Sequence, residues 1–364
     1  MTKIIISGGG TGGHIYPAIA IANALRTIDP TIKILFVGAN GKMEMEKVPK
    51  AGYQIVGLPI VGIKRELSLQ NLAFPLKLVR SLLKARAIIK DFAPDVAVGV
   101  GGFASGPLLM VAGWLGVPTL IQEQNSHAGI TNKFLAKRAS KICVAYPNME
   151  RFFQKDKIIR TGNPVRSDIM DSTQKRASAL EHFGLLAHKK TLLVIGGSLG
   201  AKSINESIDA GLKTLVKMGY QVLWQTGKPY AEKAKKAVAA LQSKQVKTQD
   251  FIYEMDLAYA VADVVVSRAG ALSVSELCVV GKPAILVPFP FAAEDHQTQN
   301  AMSLVNQDAA LFVKDSAASQ ELVQTALHLL EDPEKQRQLG VNIKKLSQPH
   351  ASRQIAEEVL KLVH

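Results

Sequence analysis

The sequence predicts an α/β protein made of two Rossmann-like parallel-sheet domains that face each other across a cleft. In each half of the chain a short apolar run, Ile4–Ile6 or Leu192–Ile195, leads into a glycine-rich turn that is followed by apolar residues at helical spacing. Strand-like and helix-like segments alternate along the rest of the chain. This order is typical of parallel sheets with right-handed crossovers.

The first glycine-rich turn, Gly8–His14, has the properties of a ligand-binding loop. Its glycines have the G-x-G-x-x-G spacing of dinucleotide-binding folds. Glycines let another molecule approach the backbone closely, and the first N–H groups of the following helix attract anions. A tight turn without a ligand is the alternative interpretation of this loop on its own.

The chain of 364 residues is long enough for two domains of ordinary size. Gly162–Arg166 marks a boundary, because its Gly and Pro interrupt both patterns and the charge balance changes there. We therefore expect an N-terminal domain over residues 1–164 and a C-terminal domain over residues 165–340. A last helix within residues 341–364 is expected to pack back on the N-terminal domain.

With 47% hydrophobic residues the chain can bury sizeable cores, and two further features lead us to expect a cytoplasmic protein. The N-terminal apolar run is too short for a signal peptide, and the longest apolar region, Pro107–Ile121, is interrupted by Gly and Pro and too short for a bilayer. Cys143 and Cys278 have apolar neighbours in the sequence. We expect reduced, buried thiols there and no metal site.

The net charge of +14 is concentrated in the first part of the chain. Residues 1–166 contain 22 Lys and Arg against 9 Asp and Glu, whereas residues 167–364 contain 22 against 21. Such an imbalance suggests a polyanionic partner, either nucleic acid or an anionic membrane surface. Nucleic-acid binders interleave basic with aromatic residues. Only 6% of the residues are aromatic and no such stretch is present, which favours the membrane.

A basic amphipathic helix is predicted over Leu69–Lys90, a type that can lie on anionic lipid. An ordinary surface helix is the alternative. Its buried stripe is expected to consist of Leu69, Leu72, Leu76, Val79 and Leu83. Its basic face consists of Lys77, Arg80 and Lys84. The residues expected to add exposed apolar surface beside the basic face are Phe74, Leu78 and Leu82.

Further candidate ligand segments follow predicted strands of the first half. Gly99–Pro107 is a second glycine-rich turn, and Glu123–Asn125 either caps the next helix or contacts ligand hydroxyls. In a nicotinamide or flavin enzyme an acidic residue should end the second strand and hold a ribose. The segment Val37–Asn40 contains none, and the next acidic residue is Glu44. This absence disfavours an oxidoreductase.

In the second half, Ser267–Glu276 combines a glycine turn and small residues with the start of a helix. Small side chains let backbone N–H groups approach a phosphate, and Glu276 is placed to accept both hydroxyls of a ribose. After a predicted strand that ends at Val287–Pro290, the segment Glu294–Asn300 is rich in groups that hydrogen-bond sugars.

Taken together, the candidate segments resemble those of the MurG family, and they occur in the same order along the whole chain. Besides the two segments just described, they are Gly9–His14, Glu123–Asn125, Gly162–Arg166 and Gly196–Ser198. The resemblance implies a GT-B fold of glycosyltransferase family 28. It further implies inverting transfer of GlcNAc from UDP-GlcNAc to undecaprenyl-diphosphate-MurNAc-pentapeptide (lipid I), giving lipid II and UDP in peptidoglycan synthesis. By the same resemblance the protein needs no cofactor or metal and lies peripherally on the cytoplasmic face of the cell membrane.

The resemblance also implies which residues act. His14 is the matching candidate for the base that deprotonates the acceptor hydroxyl; capping its helix or binding sugar is the alternative role. The N-terminal domain would take the acceptor and the membrane, and the C-terminal domain the donor. The implied UDP-GlcNAc contacts are Thr11, Gly12, Gly13, Asn125, Arg166, Ser198, Ile252, Ala271, Leu272, Ser273, Val274, Ser275, Glu276, Gln297 and Asn300.

The chemistry of the residues agrees with a metal-independent transfer. The departing diphosphate bears new negative charge, which fixed dipoles and cations can stabilise in place of a metal. The sequence has no Asp-x-Asp motif, and helix N-termini after Ser198 and Gly270, helped by Arg166 and Arg268, are candidates for this role. The alternatives left open are another UDP-sugar enzyme, such as a UDP-GlcNAc 2-epimerase or a glycolipid synthase, and a non-catalytic nucleic-acid binder.

Overall fold

The computed structural model describes residues 1–60, 74–170 and 172–363. The chain divides into two compact units, Met1–Arg166 together with Pro349–His364 (unit 1) and Ser167–Gln348 (unit 2). Each unit contains its own parallel sheet with helices packed on it, so the predicted fold class of two parallel-sheet α/β domains is confirmed.

In unit 1 the strand order is β3-β2-β1-β4-β5-β6-β7, and every strand pair is parallel. The strands are β1 (Lys3–Ser7), β2 (Lys33–Ala39), β3 (Gln54–Leu58), β4 (Val96–Gly99), β5 (Thr119–Glu123), β6 (Lys141–Val144) and β7 (Ile158–Arg160). The helices are α1 (Gly12–Ile28), α2 (Glu44–Lys50), α3 (Phe74–Phe92), α4 (Ser105–Trp114) and α5 (Ile130–Ala136).

In unit 2 the strand order is β10-β9-β8-β11-β12-β13, again parallel throughout. The strands are β8 (Thr191–Ile195), β9 (Gln221–Gln225), β10 (Val246–Gln249), β11 (Val264–Ser267), β12 (Ala284–Leu286) and β13 (Leu311–Phe312). The helices are α6 (Ser167–Met170), α7 (Arg176–Phe183), α8 (Lys202–Lys217), α9 (Ala231–Leu241), α10 (Met255–Val261), α11 (Ala271–Val280), α12 (His296–Val305), α13 (Ala318–Glu331) and α14 (Pro333–Lys345).

The last helix, α15 (Ala351–Leu360), belongs to unit 1 and packs on α1. Ile355, Ala356 and Val359 are fully buried in the core that α1 shares with β1. The division between the units falls after residue 348 and not after the expected 340, because α14 packs against α11 and α13 of unit 2.

Both faces of each sheet are covered, which explains the continuous apolar runs of the central strands. In β1, Ile4 and Ile6 point into the core that contains α1, whereas Ile5 points into the core that contains α4. The strand expected at Phe251–Ile252 is instead β10, a few residues earlier. Its sequence, Val-Lys-Thr-Gln, lacks an apolar run because it is an edge strand.

The face of α3 that packs on the core differs from the expected one. The exposed large side chains of α3 are Leu76, Val79 and Leu83, with relative accessibilities of 56%, 52% and 64%. The residues that pack on the core are Phe74, Leu78, Ser81, Leu82, Ala85 and Ile89. Both sets have helical spacing, but the second contains the small residues Ser81 and Ala85, which permit close packing. The other two residues of the expected stripe, Leu69 and Leu72, lie outside the described residues.

No helix within the described ranges is both long enough and apolar enough to cross a membrane.

Candidate active site

The parallel register brings the loops that follow neighbouring strands to one edge of each sheet. In unit 1, Ser7 at the end of β1 pairs with Gly99 of β4. In unit 2, Ile195 at the end of β8 pairs with Gln225 of β9 and with Ser267 of β11. The glycine-rich loops therefore lie at the carboxyl edges of their sheets, where open α/β sheets place ligands.

In unit 1 the loop after β1 packs directly on the loop after β4. The Gly9 N–H donates to the Gly101 carbonyl oxygen at 3.3 Å. Gly102 has a φ of +91°, and a Cβ there would lie 2.4 Å from the Gly9 carbonyl oxygen, so only glycine fits. Three predicted ligand contacts are accessible at the start of α1: Thr11, Gly12 and Gly13.

His14 lies in the first turn of α1, and its half-buried ring is held by both loops. Its Nδ1 lies 3.1 Å from the Gly9 carbonyl oxygen and 3.4 Å from the Thr11 hydroxyl. Because a carbonyl oxygen only accepts, Nδ1 carries the proton and the basic lone pair of the neutral ring is on Nε2. The ring lies over Gly101, where a Cβ would be 2.8 Å from Nε2.

Glu123 at the end of β5 organises the loop that carries Asn125. Its carboxylate accepts hydrogen bonds from the backbone N–H groups of Asn125 and Gly129, both at 3.0 Å, and from the side-chain amide of Asn132 at 2.8 Å. Since Gly129 is the N-cap residue of α5, Glu123 fixes the segment that leads into this helix. Asn125 is half-buried and stays a candidate ligand contact.

Arg166, which follows β7 in the chain, lies beside the first helix. Its guanidinium carbon is 5.6 Å from the centroid of the Tyr16 ring, a cation–π arrangement. Tyr16 is two residues after His14 on α1. A cation is therefore held near the glycine loop of unit 1.

In unit 2, the buried side chain of Gln225 connects two segments that carry predicted donor contacts. Its amide donates to the Gly197 carbonyl oxygen at 2.7 Å, and its Oε1 lies 3.5 Å from the Ile252 N. Ser198 is exposed beside this bond. The side chain of Ile252 is buried, so this residue can present only its backbone to a ligand.

The predicted contacts of α11 occupy its first two turns, which begin after the N-cap residue Gly270. The phenol of Tyr259 on α10 donates to Oε2 of Glu276 at 3.0 Å. Tyr259 is almost fully buried and Glu276 is half-buried, so the carboxylate is held from the core side. The side chain of Val274 is buried in the core. The other α11 contacts are half-buried: Ala271, Leu272, Ser273 and Ser275.

Two predicted donor contacts lie on α12. The Oε1 of Gln297 accepts a hydrogen bond from the Phe289 N–H at 3.0 Å, which joins the start of α12 to the loop after β12. Asn300 is fully buried, and its amide lies 3.2 Å from the Ala269 carbonyl oxygen. This bond holds the loop that precedes α11, and the donor contact of Asn300 stays a prediction.

Arg268, which was expected to help at the diphosphate, is paired with a carboxylate in the structure. Its guanidinium pairs with the carboxylate of Asp315 at 2.5 Å and donates to the carbonyl oxygens of Val287 and Pro288. It also donates to the hydroxyl of Ser203 at 3.1 Å. Through these bonds Arg268 joins the ends of β11 and β12 to α8, and its charge is paired with that of Asp315.

Cys143 and Cys278 are free thiols in the core, and burial raises the pKa of each to about 12. Among the residues that the structure describes, no group of three or more His, Cys, Asp or Glu side chains could hold a metal ion.

Three buried residues that shape these loops were not predicted from the sequence: Glu44, Gln225 and Tyr259. The only signal for Glu44 was a pair of glycines, Gly9 and Gly38, in two separate turns. A Cβ on either glycine would lie within 2.5 Å of the Glu44 side chain. The need for glycine at both positions becomes clear only in the folded structure, where the two turns lie against the same side chain.

Two family models match the chain. The model of the glycosyltransferase family 28 N-terminal domain matches residues 4–144, and that of the family 28 C-terminal domain matches residues 191–358. The fold and these matches define the class of the protein as a two-domain glycosyltransferase.

Relatives that match nearly the whole chain identify a particular family within this class. A UDP-N-acetylglucosamine--N-acetylmuramyl-(pentapeptide) pyrophosphoryl-undecaprenol N-acetylglucosamine transferase from Phocaeicola vulgatus is 55% identical, with 99% of this chain and 96% of the relative covered. The enzyme of the same name from Cytophaga hutchinsonii is 56% identical, with 100% and 97% covered. The crystal structure of Acinetobacter baumannii MurG has a TM-score of 0.79 and 28% identity, covering 99% of this chain and 100% of that one. The chain therefore belongs to the MurG family of N-acetylglucosamine transferases.

Proposed function

We propose that this enzyme transfers GlcNAc from UDP-GlcNAc to the muramyl sugar of lipid I, giving lipid II and UDP. The full-length identity of about 55% to transferases with this name carries the proposal. The same identity disfavours the epimerase and the nucleic-acid binder that the residues alone had left open.

The donor is assigned to the loops of unit 2. We assign the diphosphate to the helix N-termini of α8 and α11 and the ribose hydroxyls to Glu276. Helix N-termini favour negative charge, and their effect is larger in a dry site than in water. Because Arg268 is engaged by Asp315, Arg166 is the remaining cation among the predicted donor contacts. Transfer by these groups requires no metal.

The acceptor is assigned to unit 1, with His14 as the general base. In an inverting transfer the acceptor hydroxyl attacks the anomeric carbon while the bond to UDP breaks. His14 Nε2 takes the proton of that hydroxyl, for which the tautomer fixed by Gly9 is the suitable one.

The direct test is an assay with radiolabelled UDP-GlcNAc and a short-chain lipid I analogue in the presence of EDTA. We expect labelled lipid II analogue at the rate measured without EDTA, because the proposed transfer uses fixed dipoles and cations in place of a metal. A reaction that stops in EDTA and resumes with added Mg²⁺ would contradict metal independence. Absence of product under both conditions would contradict the proposed reaction.

We also propose that unit 1 binds the anionic surface of the cytoplasmic membrane face through α3 and its neighbours. One apolar stripe of α3 is exposed and consists of Leu76, Val79 and Leu83. The basic residues Arg80 and Lys84 are exposed beside it. α3 packs on α4, and α4 packs on α5. These two helices add further exposed apolar side chains: Trp114, Ile130 and Phe134. An apolar stripe next to basic residues is the pattern of helices that lie in a lipid interface. We expect no nucleic-acid partner.

Charge reversal on α3 tests this surface. We expect replacement of Lys77, Arg80 and Lys84 by Glu to abolish most co-sedimentation with vesicles that contain anionic lipid, since each basic residue contributes about 1 kcal/mol near such a surface. The matched control reverses three exposed lysines of unit 2: Lys213, Lys236 and Lys244. Equal vesicle binding by both triple variants would remove α3 from the membrane-binding surface.

A further inference from the structure

Glu44 is a fully buried acidic residue at the start of α2, directly below the glycine loop of unit 1. One carboxylate oxygen accepts from the Gly10 N–H at 2.8 Å and the other from the Ala39 N–H at 2.9 Å. Both are charge-assisted bonds to backbone donors, which satisfy a buried carboxylate. The fold provides room for it, because Gly9 and Gly38 have no Cβ where its side chain lies.

The N–H of Gly10 and the carbonyl of Gly9 belong to the same peptide group. Glu44 accepts from the N–H of this group, and its carbonyl oxygen accepts from His14 Nδ1 at 3.1 Å. A single peptide bond therefore lies between a buried carboxylate and the imidazole. Hydrogen bonds in such a chain polarise one another, since a carboxylate on the N–H makes the carbonyl oxygen a stronger acceptor.

We propose that Glu44 is a positioning residue that acts on His14 through the Gly9–Gly10 peptide group. The carboxylate orients this peptide group, which holds the proton of the neutral imidazole on Nδ1. It also stabilises the imidazolium that forms when Nε2 takes the acceptor proton. The arrangement corresponds to a carboxylate–histidine pair with one peptide unit inserted between its members. Its catalytic consequence rests on the proposed role of His14 as base.

The other charged groups named near this loop, Glu123 and Arg166, are unchanged in a Glu44 variant. Glu123 at the end of β5 accepts from three donors of its own loop. Arg166 lies over the Tyr16 ring. The contacts of the His14 ring itself include the Thr11 hydroxyl and the backbone of Gly101.

The test is an NMR titration of the full-length enzyme with ¹⁵N-labelled histidine, in which His14→Ala identifies the His14 signals. In the wild type we expect the neutral ring to carry its proton on Nδ1. In Glu44→Gln an amide can accept from only one of the two N–H groups and carries no charge. A nearby negative charge favours the imidazolium, so the loss of this carboxylate should lower the His14 pKa measurably.

The kinetic readout of the same variant is the acid limb of the kcat profile. Because the base acts when it is deprotonated, a lower pKa moves this limb to lower pH, while the weaker base lowers the plateau. We expect kcat to fall roughly tenfold, the lower end of what is found for the hydrogen-bond partners of metal-ligating histidines, with the KM for UDP-GlcNAc unchanged. The control is Glu46→Gln, which removes an exposed carboxylate on the same helix and should shift neither the pKa nor the limb.

Three outcomes distinguish the proposed role of Glu44 from the proposed role of His14 as base. An Nε2–H tautomer in the wild type would overturn the proposal, and this measurement stands even if Glu44→Gln fails to fold. Thermal unfolding shows whether Glu44→Gln is folded. An unchanged His14 pKa in the folded variant would also overturn the proposal. If the tautomer and the shift are found but His14→Ala retains full activity, the connection to Glu44 stands and the proposed role of His14 as base fails.

Discussion

Replacement of His14 by Ala is expected to lower the rate of GlcNAc transfer by about 10²–10⁴-fold, the usual contribution of a positioned general base. The variant leaves the donor loops of unit 2 untouched. We therefore expect the dissociation constant for UDP-GlcNAc, measured by calorimetry, to stay within a few-fold of the wild type. The loss should be in kcat, because the proton transfer occurs only in the transition state.

The control for this variant is His188→Ala, which removes an exposed histidine of unit 2 and should leave kcat unchanged. Wild-type turnover in His14→Ala would rule out the base role. A large rise in the donor dissociation constant with little change in kcat would assign His14 to sugar binding, the alternative that the sequence had left open.

Replacement of Glu276 by Ala is expected to raise the KM for UDP-GlcNAc by roughly 10–100-fold. Hydrogen bonds to a charged group contribute about 1.5–3 kcal/mol each, and the carboxylate is proposed to accept from the ribose hydroxyls. Tyr259→Phe should have a smaller effect in the same direction, because it removes only the phenol that holds the carboxylate from the core side. Calorimetry with UDP alone measures the same loss without the acceptor.

Glu321→Ala is the matched control, since Glu321 is an exposed carboxylate of unit 2 on α13. Equal UDP binding by Glu276→Ala and the wild type would contradict the ribose role. A Tyr259→Phe effect larger than that of Glu276→Ala would show that Tyr259 acts on the site by another route.

Local patterns were sufficient for the architecture and for most of the loops. A strand followed by a glycine turn and a helix is a local unit, so the turns at Gly8–His14 and Gly196–Gly200 could be identified without any long-range information. The order of the motifs along the chain was sufficient for the family. The position of the edge strand β10 was not predicted, because an edge strand needs no continuous apolar run.

The sequence by itself determined the two α/β units, the glycine loops at their strand ends and the membership of the family. Only the tertiary structure decided which apolar stripe of α3 faces the core, because two stripes share the helical period and their packing partners decide between them. It also decided that Arg268 pairs with Asp315, that Asn300 is buried, and that Glu44 lies below the loop of His14. The partners in these contacts are 31 to 47 residues apart. Burial and pairing over such separations depend on how the chain is folded and not on its local pattern.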